Sequence, residues 1–300
     1  MLDCRRGIAG LQATIQLGRY RHKVAVVDKG TGRSTLCRAY HNVLGWPDGV
    51  SGMELRRLGR MQAERTGVSF VQDEVVSAVA TGADFEIACA SGGALRGSTL
   101  LVATGIMDRF PPAPGLEPCL GLSVYVCPDC DGYEVTGRRT VVMGSGPAGA
   151  GMALTLRYWT DRIVYINHEQ AVVGGALLEK LQEGGIEYLE AEIAEVLTRK
   201  DDGPGAFAGI RLKDGTEVEG ERGFLAFGGN AVHSEWTKAL GVERLENRHI
   251  VTDPRTKMTS VPGVWAAGDI GVHSEQVTIA MGKARRSLFG FIRSRLGGKR

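Results

Sequence analysis

The sequence predicts an α/β protein of two Rossmann-like dinucleotide-binding domains, the second inserted into the first. Three observations carry this. An apolar strand, Val141-Val142-Met143, runs directly into Gly144-Ser145-Gly146-Pro147-Ala148-Gly149, a Gly-x-Gly-x-x-Gly turn that opens a helix. A weaker copy, Arg5-Arg6-Gly7-Ile8-Ala9-Gly10, stands near the N-terminus. The stronger copy is bracketed by two connectors: Phe110-Pro111-Pro112-Ala113-Pro114-Gly115, stiff and extended, and Phe227-Gly228-Gly229-Asn230, flexible. Residues 1–109 with 229–300 then form one discontinuous domain, and 110–228 is the insert.

The 300 residues are enough for two ordinary cores, and 43 glycines suit a fold with many tight strand-to-helix turns. In the first domain, Ile8, Leu11 and Ile15 share one face of a helix over 7–18, and Lys23-Val24-Ala25-Val26-Val27-Asp28 reads as a buried parallel strand ending in a carboxylate. In the insert, a strand at 140–143, a helix at 147–158 and a strand at 163–166 complete a βαβ unit. Asp201-Asp202-Gly203-Pro204-Gly205 and Lys213-Asp214-Gly215-Thr216 read as turns between short strands. After Val264-Trp265-Ala266-Ala267 and Gly268-Asp269 comes a helix with Val277, Ala280, Ala284, Leu288, Ile292 and Leu296 on one stripe; its N-terminus favours an anion.

Charge and composition exclude several classes. The net charge of +2 is spread along the chain, apart from a basic end (Arg293, Arg295, Lys299, Arg300) read as a solvated face, so no nucleic-acid partner is implied. No apolar run approaches the roughly twenty residues of a membrane span, and 1–6 lack a signal-peptide core. The expectation is a soluble cytoplasmic protein with no membrane partner.

Within the stronger motif, Gly144 is expected to make the tight turn, Gly146 to let the backbone approach a pyrophosphate, and Gly149 to let helix pack on strand. The next strand ends in Asn167-His168-Glu169, with no arginine until Arg199, and a carboxylate there suits a ribose 2′-hydroxyl rather than a 2′-phosphate. NADH is therefore favoured over NADPH, the plainer alternative being that Glu169 is a solvated strand end. In the weaker motif Gly7 and Gly10 fit, but Arg5 stands where the turn glycine belongs. A left-handed conformation at Arg5 would cost about 1–2 kcal/mol. Only residues 1–4 remain for the preceding strand, shorter than usual. Asp28 is well placed for an adenosine ribose. The first site thus reads as recognisable and damaged.

Cys127-Pro128-Asp129-Cys130-Asp131 is a compact dithiol couple with an adjoining carboxylate, and beside a dinucleotide motif it implies electron transfer. Zinc is not expected, because Cys4, Cys37, Cys89 and Cys119 form no second close pair. Cys119 reads as a small buried apolar residue.

With His41-Asn42-Val43-Leu44-Gly45-Trp46-Pro47-Asp48-Gly49-Val50-Ser51-Gly52, Ala103-Thr104-Gly105 and 260–269, these segments make the chain resemble the low-molecular-weight thioredoxin reductase family, a class of FAD-dependent pyridine nucleotide-disulfide oxidoreductases, over nearly its whole length. The resemblance implies a homodimeric flavoprotein with FAD in the discontinuous domain, held by Gly7, Gly10, Asp28, Asn42, Gly105, Gly268, Asp269, Gln276 and Val277. It implies a nicotinamide nucleotide, NADH or NADPH, on Gly144, Gly146, Gly149 and Glu169. Electrons would pass through FAD to Cys130, which faces it; Cys127 would attack a disulfide in a thioredoxin-like protein or small substrate, with Asp131 as acid/base.

The chain departs from the family pattern in three places: His168-Glu169 replaces its paired arginines, Glu275 stands where an arginine usually precedes Gln276, and Cys-Pro-x-Cys-Asp-Gly-Tyr-Glu is closer to the branch containing dithiol oxidases of disulfide-bearing natural products. Two alternatives stay open: a dithiol oxidase passing electrons through FAD to oxygen, and a non-catalytic redox-responsive protein with a degraded flavin site.

Overall fold

A computed structural model describes residues 1–5, 7–199, 203, 205–272 and 275–297. The chain divides into two compact units: Met1–Thr35, Gly52–Met107 and Ala231–Arg300 in one, Leu36–Ser51 and Asp108–Asn230 in the other. The segment Leu36–Ser51 therefore groups with the insert and not, as 1–109 would have it, with the first domain. The reason is packing: Leu36 lies against the core of Leu116, Cys119 and Leu120, a methyl group at Gly121 would come within 2.5 Å of the Arg38 nitrogen, and His41 pairs with Glu134 at 3.2 Å.

In the first unit five parallel strands lie in the order Val264–Ala266, Leu100–Ala103, Leu2–Arg5, Ala25–Asp28, Ser69–Val71. Alternation along a central strand sorts its side chains to two cores. Leu101 and Ala103 pack with Ala13, Leu17 and Ala284 of the helices Ile8–Arg19 and Val277–Gly297. Leu100 and Val102 pack with Phe85 and Ile87 of an antiparallel meander, Val75–Thr81, Asp84–Cys89 and Ala94–Gly97.

The second unit repeats this plan. Its parallel strands run Glu187–Leu189, Ile163–Asn167, Thr140–Gly144, Arg222–Ala226, Val124–Tyr125. The helix Gly146–Leu156 buries Ala150 and Ala153 against Val142 and Tyr165, while Val141 and Met143 face the meander Ile193–Thr198, Phe207–Leu212, Glu217–Glu219. The turn at 213–216 forms as expected, with Gly215 at φ +91° and the Thr216 amide donating to Asp214 at 2.9 Å. The turn at 201–205 falls mostly outside the described residues, as do Arg6, Lys299 and Arg300; the side chains of Ile292, Arg293, Arg295 and Leu296 are likewise outside them.

The short first strand forms: Leu2–Arg5 pairs along its whole length with both neighbours, Arg5 lying opposite Asp28 on one side and Ala103 on the other. The left-handed conformation expected at Arg5 is also not what the motif asks for: Gly144, at the same point of the second motif, is likewise a paired strand residue opposite Asn167 and Ala226.

Candidate functional site

The dithiol is built at the junction of strand and helix. Val124–Tyr125 delivers Cys127 as the N-cap of one helical turn, Pro128–Asp131, where proline is tolerated because its missing N–H has no helical partner. Cys127 and Cys130 are joined as a disulfide with Cα atoms 5.3 Å apart. The Cys130 amide donates to the Cys127 sulfur at 3.2 Å, so the backbone favours negative charge on Cys127 once the bond opens. Both sulfur-bearing residues and Asp131 are half-buried, which leaves the couple open to a reactant.

Gly132 follows without a side chain for a physical reason: a methyl group there would sit 2.7 Å from the Trp159 ring. Glu134 is tied to His41, and Tyr133 projects almost fully into solvent. Burial above all, with the charges of Glu134 and Asp131, pushes the Tyr125 phenol well above its ordinary value, so it stays a neutral donor to the Leu122 carbonyl. Cys119 is fully buried, its thiol also pushed up by burial.

In the same unit the three motif glycines act, but not in the expected division of labour. Gly144 is needed for room: a methyl group would meet the Ala226 carbonyl oxygen at 2.5 Å and the Gly149 Cα at 2.8 Å. The turn belongs to Gly146, at φ +50°. Gly149 lets the helix settle on Tyr165, whose ring a methyl group would reach at 2.3 Å. The helix Gly146–Leu156 has no side-chain cap and no acidic residue in its first turn, the arrangement that receives an anion.

The residue holding this loop in shape is Asn167, which spacing alone did not single out. Register places it where Asp28 stands in the first unit. Fully buried, it accepts from the Gly146 amide at 2.9 Å and donates to the Ala171 carbonyl at 2.7 Å and the Tyr188 hydroxyl at 3.0 Å.

His168 turns inward, its Nδ1 accepting from the Ile193 amide at 2.8 Å and its ring edge-on to Phe227. Burial holds its pKa below the ordinary value. The unfolded chain therefore binds a proton at a pH where the folded chain does not, and His168 contributes stability above about pH 6.5 that is lost as pH falls toward the lowered folded value. A His168→Gln protein should lose less melting temperature than the parent between pH 7 and pH 5.5. An identical loss in both would exclude this account.

Glu169 lies at the lip of the glycine loop. Its two oxygens take a fork from Arg109, Nη1 to Oε1 at 2.6 Å and Nη2 to Oε2 at 3.0 Å. That guanidinium first, and the Ser145 hydroxyl second, hold its carboxyl down at about 2. No arginine follows Glu169 until Arg199, and the one that pairs with it comes from sixty residues upstream.

The first unit assembles the other set. The helix Ile8–Arg19 starts at Gly7 with no side-chain cap and no acid in its first turn, and Gly10 is buried within it. Asp28 ends its strand 8% exposed, receiving the Gly30 amide at 3.0 Å and Arg56 at 3.1 Å. Gly105 and Gly268 adopt positive φ, and a methyl group on Gly268 would strike the Ala9 Cβ at 2.6 Å, so the loop before Asp269 lies hard against the helix start. Asp269 and Glu275 face Arg33 at 4.0 and 2.8 Å. Gln276 caps the helix that opens at Val277 by accepting the Ala280 amide at 2.8 Å. Asn42 is an exposed bend residue of Leu36–Ser51 in the second unit.

Sequence spacing gave no signal for Ser34. Its hydroxyl is buried without a hydrogen-bond partner among the described residues, and a methyl group at Gly7 would lie 3.9 Å from it. An orphaned donor beside an uncapped helix start is the chemistry a pyrophosphate satisfies. The residues present in this unit therefore fit a dinucleotide cofactor. Among the described residues, no helix is long and apolar enough to cross a membrane.

Comparison with known proteins agrees with this geometry. A family model described as pyridine nucleotide-disulphide oxidoreductase matches residues 6–284. The chain is 26% identical to thioredoxin reductase sirT of Leptosphaeria maculans, covering 92% of this chain and 88% of that one. It is 28% identical to the thioredoxin reductase of Aquifex aeolicus, over 92% and 87% of the two chains. The crystal structure of HlmI superposes with a TM-score of 0.85 at 27% identity, covering 99% of this chain and 94% of that one.

Proposed function

The chain belongs to the pyridine nucleotide-disulphide oxidoreductase family and is thioredoxin reductase-like within it, and on that premise we propose how its residues divide the work of an FAD-dependent disulfide oxidoreductase. The observation that carries the proposal is the Cys127–Cys130 disulfide set in the same unit as a complete glycine loop. Bound FAD supplies the two-electron relay between a nicotinamide nucleotide and that disulfide. Gly7, the first amides of the helix Ile8–Arg19 and the Ser34 hydroxyl hold its pyrophosphate, and Asp28 takes a ribose hydroxyl. Gly10, Gly105, Gly268, Asp269, Gln276 and Val277 complete its site, as the family resemblance implies.

Two electrons and two protons open Cys127–Cys130 to a pair of thiols, with Cys130 the sulfur at which the electron pair enters. Cys127 gives its proton to Asp131 and, as the thiolate favoured by the Cys130 amide, attacks the substrate disulfide, forming a mixed disulfide and releasing one substrate thiolate, which takes that proton back from Asp131. Cys130 then loses its proton and attacks the Cys127 sulfur, which releases the second substrate thiolate to take up that proton and restores the starting bond. The substrate is the disulfide of a thioredoxin-like protein or a small molecule, and the enzyme works as a homodimer in the reducing cytoplasm. The purified protein should be yellow and should bleach anaerobically on addition of nucleotide. A colourless protein that takes up no FAD would refute this reading.

Among nucleotides NADH is preferred. The Glu169 carboxylate has about four lone-pair sites, of which the Arg109 fork uses two, so a ribose 2′-hydroxyl can still donate to it. A 2′-phosphate would meet like charge, and His168 is neutral and turned inward. Anaerobic titration should give a Kd for NADH at least about tenfold below that for NADPH, the size of one charge-assisted contact. A tenfold preference for NADPH would refute the assignment of Glu169.

A further inference from the structure

Arg109 is anchored more completely than an ordinary surface arginine. Besides the fork to Glu169, its Nη2 donates to the Phe227 carbonyl at 2.8 Å and its Nε to the Gly228 carbonyl at 3.0 Å. Its own amide donates to the Asn230 side chain at 3.2 Å, which in turn donates to Asp108 at 3.2 Å. Gly228 and Gly229 are both left-handed, at φ +65° and +63°, and a methyl group on Gly229 would come 3.4 Å from the Arg109 Nε. The backbone is thus shaped around this guanidinium. A guanidinium has five N–H donors; four contacts to Glu169, Phe227 and Gly228 leave at most one for anything else.

We propose that Arg109 is a second determinant of nucleotide choice: locked to Glu169, it fixes that carboxylate as the ribose acceptor, and the pairing withholds its own charge from a 2′-phosphate. This rests on the assignment of Glu169 to the ribose end of the nucleotide, made above. It adds that discrimination comes from the pair and not from the carboxylate alone. Removing the carboxylate does more than remove a repulsion, because it frees two guanidinium donors held beside the glycine loop by the Phe227 and Gly228 carbonyls, and a fork of that geometry suits a phosphate. Removing the arginine does the reverse. It leaves Glu169 uncompensated, which weakens NADPH further and lets the ribose acceptor wander.

The test uses the flavin-loaded protein in its oxidised state and measures equilibrium binding of NADH and NADPH separately by calorimetry, with flavin content and melting temperature confirming that each variant is folded. Glu169→Gln should tighten NADPH about tenfold and weaken NADH several-fold, reversing the preference, with a steeper salt dependence for NADPH. Arg109→Ala should weaken NADH several-fold and leave NADPH the poorer ligand. In the double variant the tightening of NADPH should disappear. If Glu169→Gln fails to tighten NADPH, or the double variant binds NADPH as well as Glu169→Gln does, Arg109 is not the determinant. The parent protein separates the two claims: a parent preferring NADPH overturns the assignment of Glu169 itself, whereas a parent preferring NADH with an unresponsive Glu169→Gln overturns only the role of Arg109. A parent that binds neither nucleotide overturns both.

Discussion

A Cys130→Ser protein should keep its FAD and lose disulfide turnover by a factor on the order of a thousand or more, the scale seen when a residue essential to a covalent route is removed. Serine cannot form the sulfur–sulfur bond that receives the electrons, so the couple no longer cycles. The two single variants should nevertheless differ. Cys127 carries the amide contact from Cys130 that favours its thiolate, and a backbone contact of this kind does not depend on the side chain at 130. Cys130→Ser should therefore trap a substrate as a stable mixed disulfide at Cys127, visible as an added mass released by reductant, while Cys127→Ser should trap little. Cys119 provides no bypass, being fully buried with its thiol pushed upward by desolvation. Turnover retained in Cys130→Ser, or equal trapping by both variants, would sink the division of roles between the two sulfurs.

Asn167→Leu should be the most damaging single change in the second unit. Leucine is close in volume but leaves the Gly146 amide and the Ala171 carbonyl without their buried partner and removes one bond from the Tyr188 hydroxyl, which still donates to Glu190. Buried groups left unsatisfied cost about 1–3 kcal/mol each, so a loss of about 3–5 kcal/mol is expected. For a chain of this size that is a fall of about 10 °C in melting temperature. Because Gly146 is the left-handed turn of the loop, nucleotide binding should weaken with it. Asn167→Asp, which keeps the acceptor for the Gly146 amide but not the two donors, should fall between parent and Asn167→Leu. A melting temperature within about 2 °C of the parent for Asn167→Leu would mean that the loop is held by its packing on Tyr165 and not by this side chain.

What the sequence determined by itself was everything that depends on near neighbours along the chain. The run 141–149 announced strand, turn and helix because period and glycine spacing are local, and the structure places them at Thr140–Gly144 and Gly146–Leu156. The helix expected at 7–18 lies at Ile8–Arg19, and the strand ending at Asp28 ends there. The Cys-x-x-Cys couple was legible for the same reason, since three residues of one helical turn bring both sulfurs together. Other features required the crossovers of two parallel sheets. Register across the strands, not spacing, shows that Asn167 occupies the position of Asp28. The Ser34 hydroxyl lies near Gly7, 3.9 Å from where a methyl group there would be, only because the chain folds back beside the first motif. The roles of Gly144 and Gly149 followed from what a side chain there would collide with, Ala226 and Tyr165, and those neighbours are far away in sequence. Arg109 reaches Glu169 across sixty residues, placed just before one connector and fastened to the carbonyls of the other. A motif can specify the shape of its own backbone, but the charge that answers a carboxylate comes from whichever segment the tertiary fold lays beside it.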